Sequence, residues 1–309
     1  MKVLITGGAG FIGSHLVDYY LKKDIEVIAI DNLITGKEDN LKPHFGNKRF
    51  KFLKCDICHP PAIKEEIDLI LHFASPASPY DYLRYPIETM KTASIGTINM
   101  LELALKKGAK FILASTSEVY GDPLVHPQIE DYWGNVNPVG VRSVYDEGKR
   151  FAEAITIAYH RKFSLRVGIA RIFNTYGERM RPGDGRVIPT FIIQALRNEP
   201  ITIFGNGTQT RSFCYISDLV EGIVRLTNTD FPMPINLGNS QEFKIVELAR
   251  MVKRLCNSKS KLVYKPLPDD DPQRRKPELT RAKKILKWKP KVELEEGLKR
   301  VIEWMREKI

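Results

Sequence analysis

The chain has 309 residues, 43% of them hydrophobic, enough for one large domain or two smaller ones. It carries no low-complexity tract and no internal repeat, which excludes disordered, fibrous and solenoid classes. With 48 basic against 37 acidic residues the net charge is +11. A basic balance suits an anionic ligand, whether nucleic acid, membrane or phosphorylated metabolite. The lysines, however, are spread along stretches such as LKKGAK and ARMVKRL without interleaved aromatics and read mostly as solvated helix faces. Charge alone does not choose among these ligands; no nucleic-acid or membrane partner is expected.

The opening stretch MKVLITGGAGFIG is too short and too glycine-rich for a membrane span, and no small-residue cleavage site follows it. A cytoplasmic protein is expected. Residues 2–6, KVLIT, read as a buried strand, and GGAGFIGSHLVDYYLKK follows with helical periodicity. Gly7, Gly10 and Gly13 fall in the turn between them, with Phe11 and Ile12. Small residues there let backbone amides and a helix N-terminus approach a pyrophosphate. A second strand, 25–31, ends on Asp31, where a carboxylate accepts from ribose hydroxyls and repels a 2′-phosphate. NAD is therefore the expected cofactor, not NADP. Asn32, Thr35 and Gly36, in the turn that follows, are placed with the cofactor residues.

Runs 50–57 and 67–75 alternate with helical segments, predicting an α/β chain: a Rossmann-type, doubly wound parallel sheet. Strand ends in such a sheet put Asp56 and Ile57 near the adenine and Ser75 beside the cofactor. Cys55 and Cys58 form a CxxC followed by His59, but no second pair completes a zinc site. No metal is expected. Residues 86–107 read as one long amphipathic helix with Pro86 in its first turn.

The run KFILA leads into STSEVYG, residues 115–121, where three hydroxyls and a carboxylate end a buried strand. The next helix, SVYDEGKRFAEAITIAYHRKF, carries Tyr145 and Lys149 four residues apart on one face. A phenol of pKa about 10 is a poor base at neutral pH. The Lys149 ammonium and a positive nicotinamide are expected to lower that value, while Thr116 bonds the same substrate hydroxyl.

At this point the sequence resembles the extended short-chain dehydrogenase/reductases that act on nucleotide sugars, over nearly its whole length. ASPASPYDYLRYP, STSEVYGDPLVHPQIEDYWGNVNPVG, YDEGKR, ARIFNTYGERM, DGRVIPTF, GNGTQTRSFCYISDLVEG and DDPQRRKPEL are most similar to the branch that decarboxylates UDP-glucuronate to UDP-xylose. Relatives that dehydrate their sugar carry an Asp–Glu pair after the threonine, the Asp helping to expel the C6 hydroxyl. Here Ser117 stands in that place, before Glu118. A C6 carboxylate leaves as carbon dioxide and needs no such acid. The resemblance thus implies that Tyr145 takes the C4 hydroxyl proton, NAD accepts and later returns the C4 hydride, and the 4-ketone sheds the C6 carboxylate. It implies further that Glu118 organises a water or the C5 proton transfer and that Arg211 holds the carboxylate.

The resemblance also implies that Thr92 and Thr175 reach the cofactor, and that Lys91, Asn99, Asn174, Arg186, Gln209, Tyr215 and Arg275 contact the nucleotide sugar. Arg275 is expected on the diphosphate, with Arg274 as its substitute should the register shift by one. Ala93 stands where relatives commonly have Asn. The implied layout is a NAD-binding domain over 1–172 with a return segment near 212–238, a sugar-nucleotide lobe over 173–211 and 239–309, and a homodimer. Other activities stay open: an oxidative decarboxylase releasing the 4-keto-pentose, a 4-epimerase, a 4,6-dehydratase, or a silent NAD-binding regulator.

Overall fold

The computed structural model describes residues 1–59, 62–183, 185–266 and 274–308. β1 (Lys2–Thr6) runs into α1 (Phe11–Leu21), followed by β2 (Glu26–Asp31), β3 (Phe50–Lys54) and β4 (Leu69–His72). The helical stretch from residue 86 is broken where a single helix is expected. Behind α2 (Pro79–Arg84) come α3 (Pro86–Lys91), a wide π turn over Thr92–Gly96, and α4 (Thr97–Lys107). The Ser94 hydroxyl donates to the Met90 carbonyl at 2.6 Å, and a Cβ on Gly96 would lie 2.7 Å from Ile57 Cδ1. The helix widens where it must pass close to the loop after β3, a common use of a π turn at a functional site. β5 (Lys110–Thr116), a 3₁₀ turn over Ser117–Tyr120, α5 (Ser143–Phe163) and β6 (Val167–Ile172) complete the first half.

β7 (Thr175–Tyr176), α6 (Val187–Leu196), β8 (Ile201–Phe204) and β9 (Thr210–Ser212) then lead outward. β10 (Cys214–Tyr215), α7 (Ile216–Thr227) and β11 (Pro234–Leu237) return to the sheet. β12 (Glu242–Lys244), α8 (Ile245–Leu255), β13 (Leu262–Lys265), β14 (Arg274–Arg275), α9 (Thr280–Leu286) and α10 (Leu294–Arg306) follow.

The large sheet is parallel throughout, in the order β11-β6-β5-β4-β1-β2-β3. Alternate residues of each strand feed opposite faces. Val3, Ile5, Val27, Ala29, Leu69 and Leu71 join one core with Leu16 of α1 and Ile223 of α7. Leu4, Ile28, Ile30, Ile70, Phe111 and Leu113 join the other with Met100 of α4 and Ala152 of α5. Both faces are covered, so the strands read as continuous apolar runs. The order reverses between β1 and β4, and a crevice opens at their carboxyl ends, the usual ligand site of such sheets. A three-stranded sheet, β12-β9-β14, faces that crevice from the outer half, with Arg275 paired in register to Arg211.

Candidate active site

The crevice is a cavity of about 520 Å³ that runs from the β1–α1 turn to the start of α5. Gly7 closes β1 with φ +69°, and a Cβ there would lie 2.7 Å from the Phe73 carbonyl oxygen. A Cβ on Gly13 would lie 2.0 Å from the Gly7 carbonyl oxygen, so α1 can start this close to the strand only with glycine. The cradle leaves backbone and a helix N-terminus facing the cavity, with Gly10, Phe11 and Ile12 on its wall. At the end of β2, Asp31 accepts from Ala9 N at 3.0 Å and Leu33 N at 2.8 Å. Burial pushes its carboxyl up, against the pull of those two amides. Two of its roughly four acceptor positions are used, and the residue lines the cavity. Asn32, Thr35, Asp56, Ile57, Ser75, Thr92 and Thr175 share that wall. The cradle and the partly satisfied carboxylate fit an adenine dinucleotide with free ribose hydroxyls.

The other end of the cavity gathers Thr116, Ser117, Glu118, Tyr145 and Lys149. Thr116 ends β5 and its hydroxyl accepts from Glu118 N at 3.2 Å, which turns the chain into the 3₁₀ turn. Thr116 shares the cavity wall with Tyr145 and works against the effect of burial on its phenol. Lys149 donates to the Ala114 carbonyl at 2.9 Å, and its Nζ lies 5.7 Å from the centre of the Tyr145 ring. Burial lowers the Lys149 ammonium to about 8. The protein groups by themselves leave the Tyr145 phenol high. Burial pushes the phenol above its ordinary value, Glu118 and Asp146 push the same way, and Thr116 and Arg186 only partly oppose them. Lys149 is not among the groups that set this direction, and the expected lowering rests on the positive nicotinamide as well.

Arg275, expected against the diphosphate, is found at the chemical end. Its Nη1 donates to Ser117 Oγ at 3.1 Å and to Glu118 Oε1 at 2.8 Å, and its Nη2 to the Gly121 carbonyl at 2.9 Å. The side chain is buried, and its Nε has no partner among the described residues. The other Glu118 oxygen, Oε2, accepts from Arg142 Nη2. Burial would push the Glu118 carboxyl up, but Arg275 and then Arg142 and Arg211 hold it below the usual carboxylate range. Arg274, the alternative in register, is exposed.

Asn174, Arg186, Gln209 and Arg211 line the same cavity. Four expected residues do not. Lys91 is exposed on α3, away from the wall. Asn99 spends its amide on the Ile57 and Cys58 carbonyls at 2.8 and 3.2 Å, so it props the adenine loop from behind. Tyr215 donates to Glu178 Oε1 at 2.5 Å and packs on Tyr176. Gly36 lies under Asp31, where a Cβ would meet the carboxylate at 2.7 Å; it makes room for that group.

Two residues on the wall escaped the sequence reading. Tyr82 stacks on Tyr145 with ring centres 5.1 Å apart and planes at 8°. Arg142 stands three residues before Tyr145, one helical turn away, and that spacing was its only signal.

A family model described as NAD dependent epimerase/dehydratase family matches residues 3–238. The chain belongs to that family. Curated relatives include UDP-glucuronic acid decarboxylase 4 of Arabidopsis thaliana, 52% identical over 100% of this chain and 69% of that one. UDP-glucuronic acid decarboxylase 5 of the same plant is 55% identical over 96% of this chain and 87% of its own. Among solved structures, UDP-glucuronic acid 4-epimerase from Bacillus cereus, in complex with UDP-glucuronic acid and NAD, superposes with a TM-score of 0.91 at 29% identity, covering 100% of both chains. The cofactor of this family is NAD. Among the described residues, no helix is long and apolar enough to cross a membrane.

Proposed function

We propose that this chain converts UDP-glucuronate to UDP-xylose and carbon dioxide with no net oxidation. The observation that carries the reading is Arg275 on Ser117 and Glu118, beside Thr116 and Tyr145, with a buried Nε–H that has no partner among the described residues. A buried guanidinium N–H without an acceptor costs about 1–3 kcal/mol, and a planar carboxylate is the group that best satisfies the guanidinium fork. The relatives' names supply the uridine and the glucuronic acid.

Tyr145 takes the C4 hydroxyl proton, with Thr116 aligning that hydroxyl. NAD, when bound, supplies the hydride acceptor at C4 and the hydride that is returned. The 4-ketone then stands β to the C6 carboxylate. The C5–C6 bond breaks, carbon dioxide leaves, and the electron pair passes into the enolate. Arg275 places the carboxylate so that this bond lies across the carbonyl plane, with Arg211 alongside. Catalysis here is mainly positioning. Glu118, held ionised, orders the water that delivers a proton to C5, and Tyr145 returns its proton to O4. Asn174, Arg186 and Gln209 are assigned to the nucleotide diphosphate end.

Homodimerisation is part of the same proposal, supported by Ile87, Met90, Ile95 and Phe151, large apolar side chains left exposed along α3, the π turn and α5. A cytoplasmic location is supported by four cysteines that stand as free thiols. The test is incubation of the protein with UDP-glucuronate and catalytic NAD, followed by mass spectrometry. UDP-xylose without net NADH is expected, and Tyr145→Phe abolishes it. Unchanged sugar acid with folded, NAD-binding protein sinks the reading.

A further inference from the structure

Glu118 uses both of its oxygens on arginines from distant parts of the chain. Oε1 accepts from Arg275 on β14, and Oε2 from Arg142 just ahead of α5. Arg142 is itself propped: its guanidinium carbon lies 5.9 Å from the centre of the Tyr82 ring, which stacks on Tyr145. Arg142, Arg275, Glu118, Tyr82 and Tyr145 all line the cavity. Asp146, the other acid nearby, has a buried Oδ1 with no partner among the described residues, and burial together with Glu118 pushes its carboxyl up towards the neutral form.

If the substrate is a sugar acid, as the function proposed above requires, its binding brings a second full carboxylate next to Glu118. One arginine cannot serve two carboxylates in a buried site without leaving one of them poorly compensated, and an uncompensated buried charge is strongly unfavourable. Two carboxylates need two arginines. We propose that Arg142 is the resident counter-ion of Glu118: it holds that carboxylate in place and ionised when Arg275 turns to the carboxylate of the incoming sugar. Arg142 is thereby a positioning residue that sets specificity for an acidic over a neutral sugar.

The experiment compares binding of UDP-glucuronate and UDP-glucose to the NAD-loaded protein by calorimetry, in wild type, R142Q, R142K, E118Q and R142Q/E118Q. The expected result is that R142Q weakens UDP-glucuronate by about 30-fold or more, within the range for breaking a buried charge pair, and UDP-glucose by less than about 3-fold. R142K is expected to fall between wild type and R142Q, because an ammonium keeps the charge but not the fork. R142Q/E118Q is expected to recover most of the lost affinity for UDP-glucuronate, since the stranded carboxylate is gone; a merely structural role for Arg142 gives no such recovery. Equal weakening of both ligands, or no recovery in the double variant, overturns the proposal while wild-type turnover of UDP-glucuronate keeps the function standing. Should R142Q not fold, the R142K ratio of the two affinities decides alone: an unchanged ratio overturns the inference. Wild type that binds neither ligand overturns both.

Discussion

Ser117 and Arg275, 158 residues apart in sequence, meet at 3.1 Å, with the serine hydroxyl accepting from the guanidinium. A neutral acceptor at this position adds no second negative charge to Arg275, which already pairs with Glu118 Oε1. An Asp here would set a third acid beside Glu118 and Asp146 and occupy the arginine permanently. Ser117→Asp is therefore expected to lower kcat/KM for UDP-glucuronate by about 100-fold, since like charges juxtaposed in a site cost several kcal/mol. Binding of UDP-glucose is expected to change far less. Steady-state kinetics beside a UDP-glucose titration measures both; an S117D enzyme with unaltered kcat/KM removes the argument.

Lys149 is buried as a cation, and burial lowers its pKa to about 8. For a base whose folded value lies below its unfolded value near 10.4, the folded and unfolded chains bind equal protons below pH 8. Between pH 8 and about 10.4 the unfolded chain binds more, so stability rises with pH. The charged lysine thus weakens the fold throughout the neutral range. Lys149→Met is expected to be more stable than wild type by about 2 kcal/mol at pH 7, by analogy with other buried charges replaced by apolar groups. The gap should close as pH approaches 10. Turnover should be lost at every pH. Thermal unfolding from pH 6 to 10 tests this, and a K149M protein less stable than wild type at pH 7 contradicts it.

The nucleotide end was legible in the sequence because its physics is local. Gly7, Gly13 and Asp31 lie within one β-α-β unit, where the spacing between strand end and helix start already fixes what each must do. The nearness of Tyr145 and Lys149 was legible for the same reason, since the two share one turn of α5. Arg275 was misplaced because its partners come from a strand end 158 residues earlier, and register along the chain says nothing about which end of a cleft β14 will face. Tyr215, Asn99 and Lys91 failed similarly. Each lies on an element that borders the cavity, but packing turned the first two side chains to Glu178 and to the Ile57–Cys58 backbone, and left the third on the surface. The break at Thr92–Gly96 was hidden because its residues continue the helical pattern; only the close approach of Gly96 to Ile57 forces the wider turn.

Asp31 is expected to set the choice of dinucleotide. Its two backbone partners fix the carboxylate against the cavity, and hydrogen bonds from neutral donors to a charged acceptor are worth about 1.5–3 kcal/mol each. Asp31→Asn keeps an acceptor but loses the charge. It is expected to weaken NAD by about 10- to 100-fold and to narrow the gap to NADP, because repulsion of the 2′-phosphate disappears. Calorimetric titration with both dinucleotides gives the ratio. An unchanged NAD-to-NADP ratio counts against Asp31 as the discriminating group.

Gln128, outside the cavity, is expected to influence the same chemistry. It is fully buried and holds the segment after β14 on both sides: its N donates to the Lys276 carbonyl at 2.9 Å, its Oε1 accepts from Lys276 N at 2.8 Å, and its carbonyl accepts from Glu278 N at 2.9 Å. Its Nε2 donates to the Val125 carbonyl at 2.8 Å. A side chain that substitutes for a strand partner fixes the backbone one residue from Arg275, and so the aim of the guanidinium. Gln128→Leu strands Lys276 N and the Val125 carbonyl and is expected to cost about 1–3 kcal/mol of stability. A displacement of the order of 1 Å at a positioned group lowers turnover by about 100-fold, so kcat should fall by about that much while NAD affinity, set at the far end of the cavity, is retained. Gln128→Glu keeps the acceptor for Lys276 N and should restore part of the loss. The deciding measurement is a double-mutant cycle with Arg275→Met. If Gln128 acts through Arg275, the second substitution adds less than about 0.5 kcal/mol to the activation barrier, as coupled neighbours do not add. Full additivity would mean that Gln128 steadies the fold at large and leaves Arg275 to find its own place.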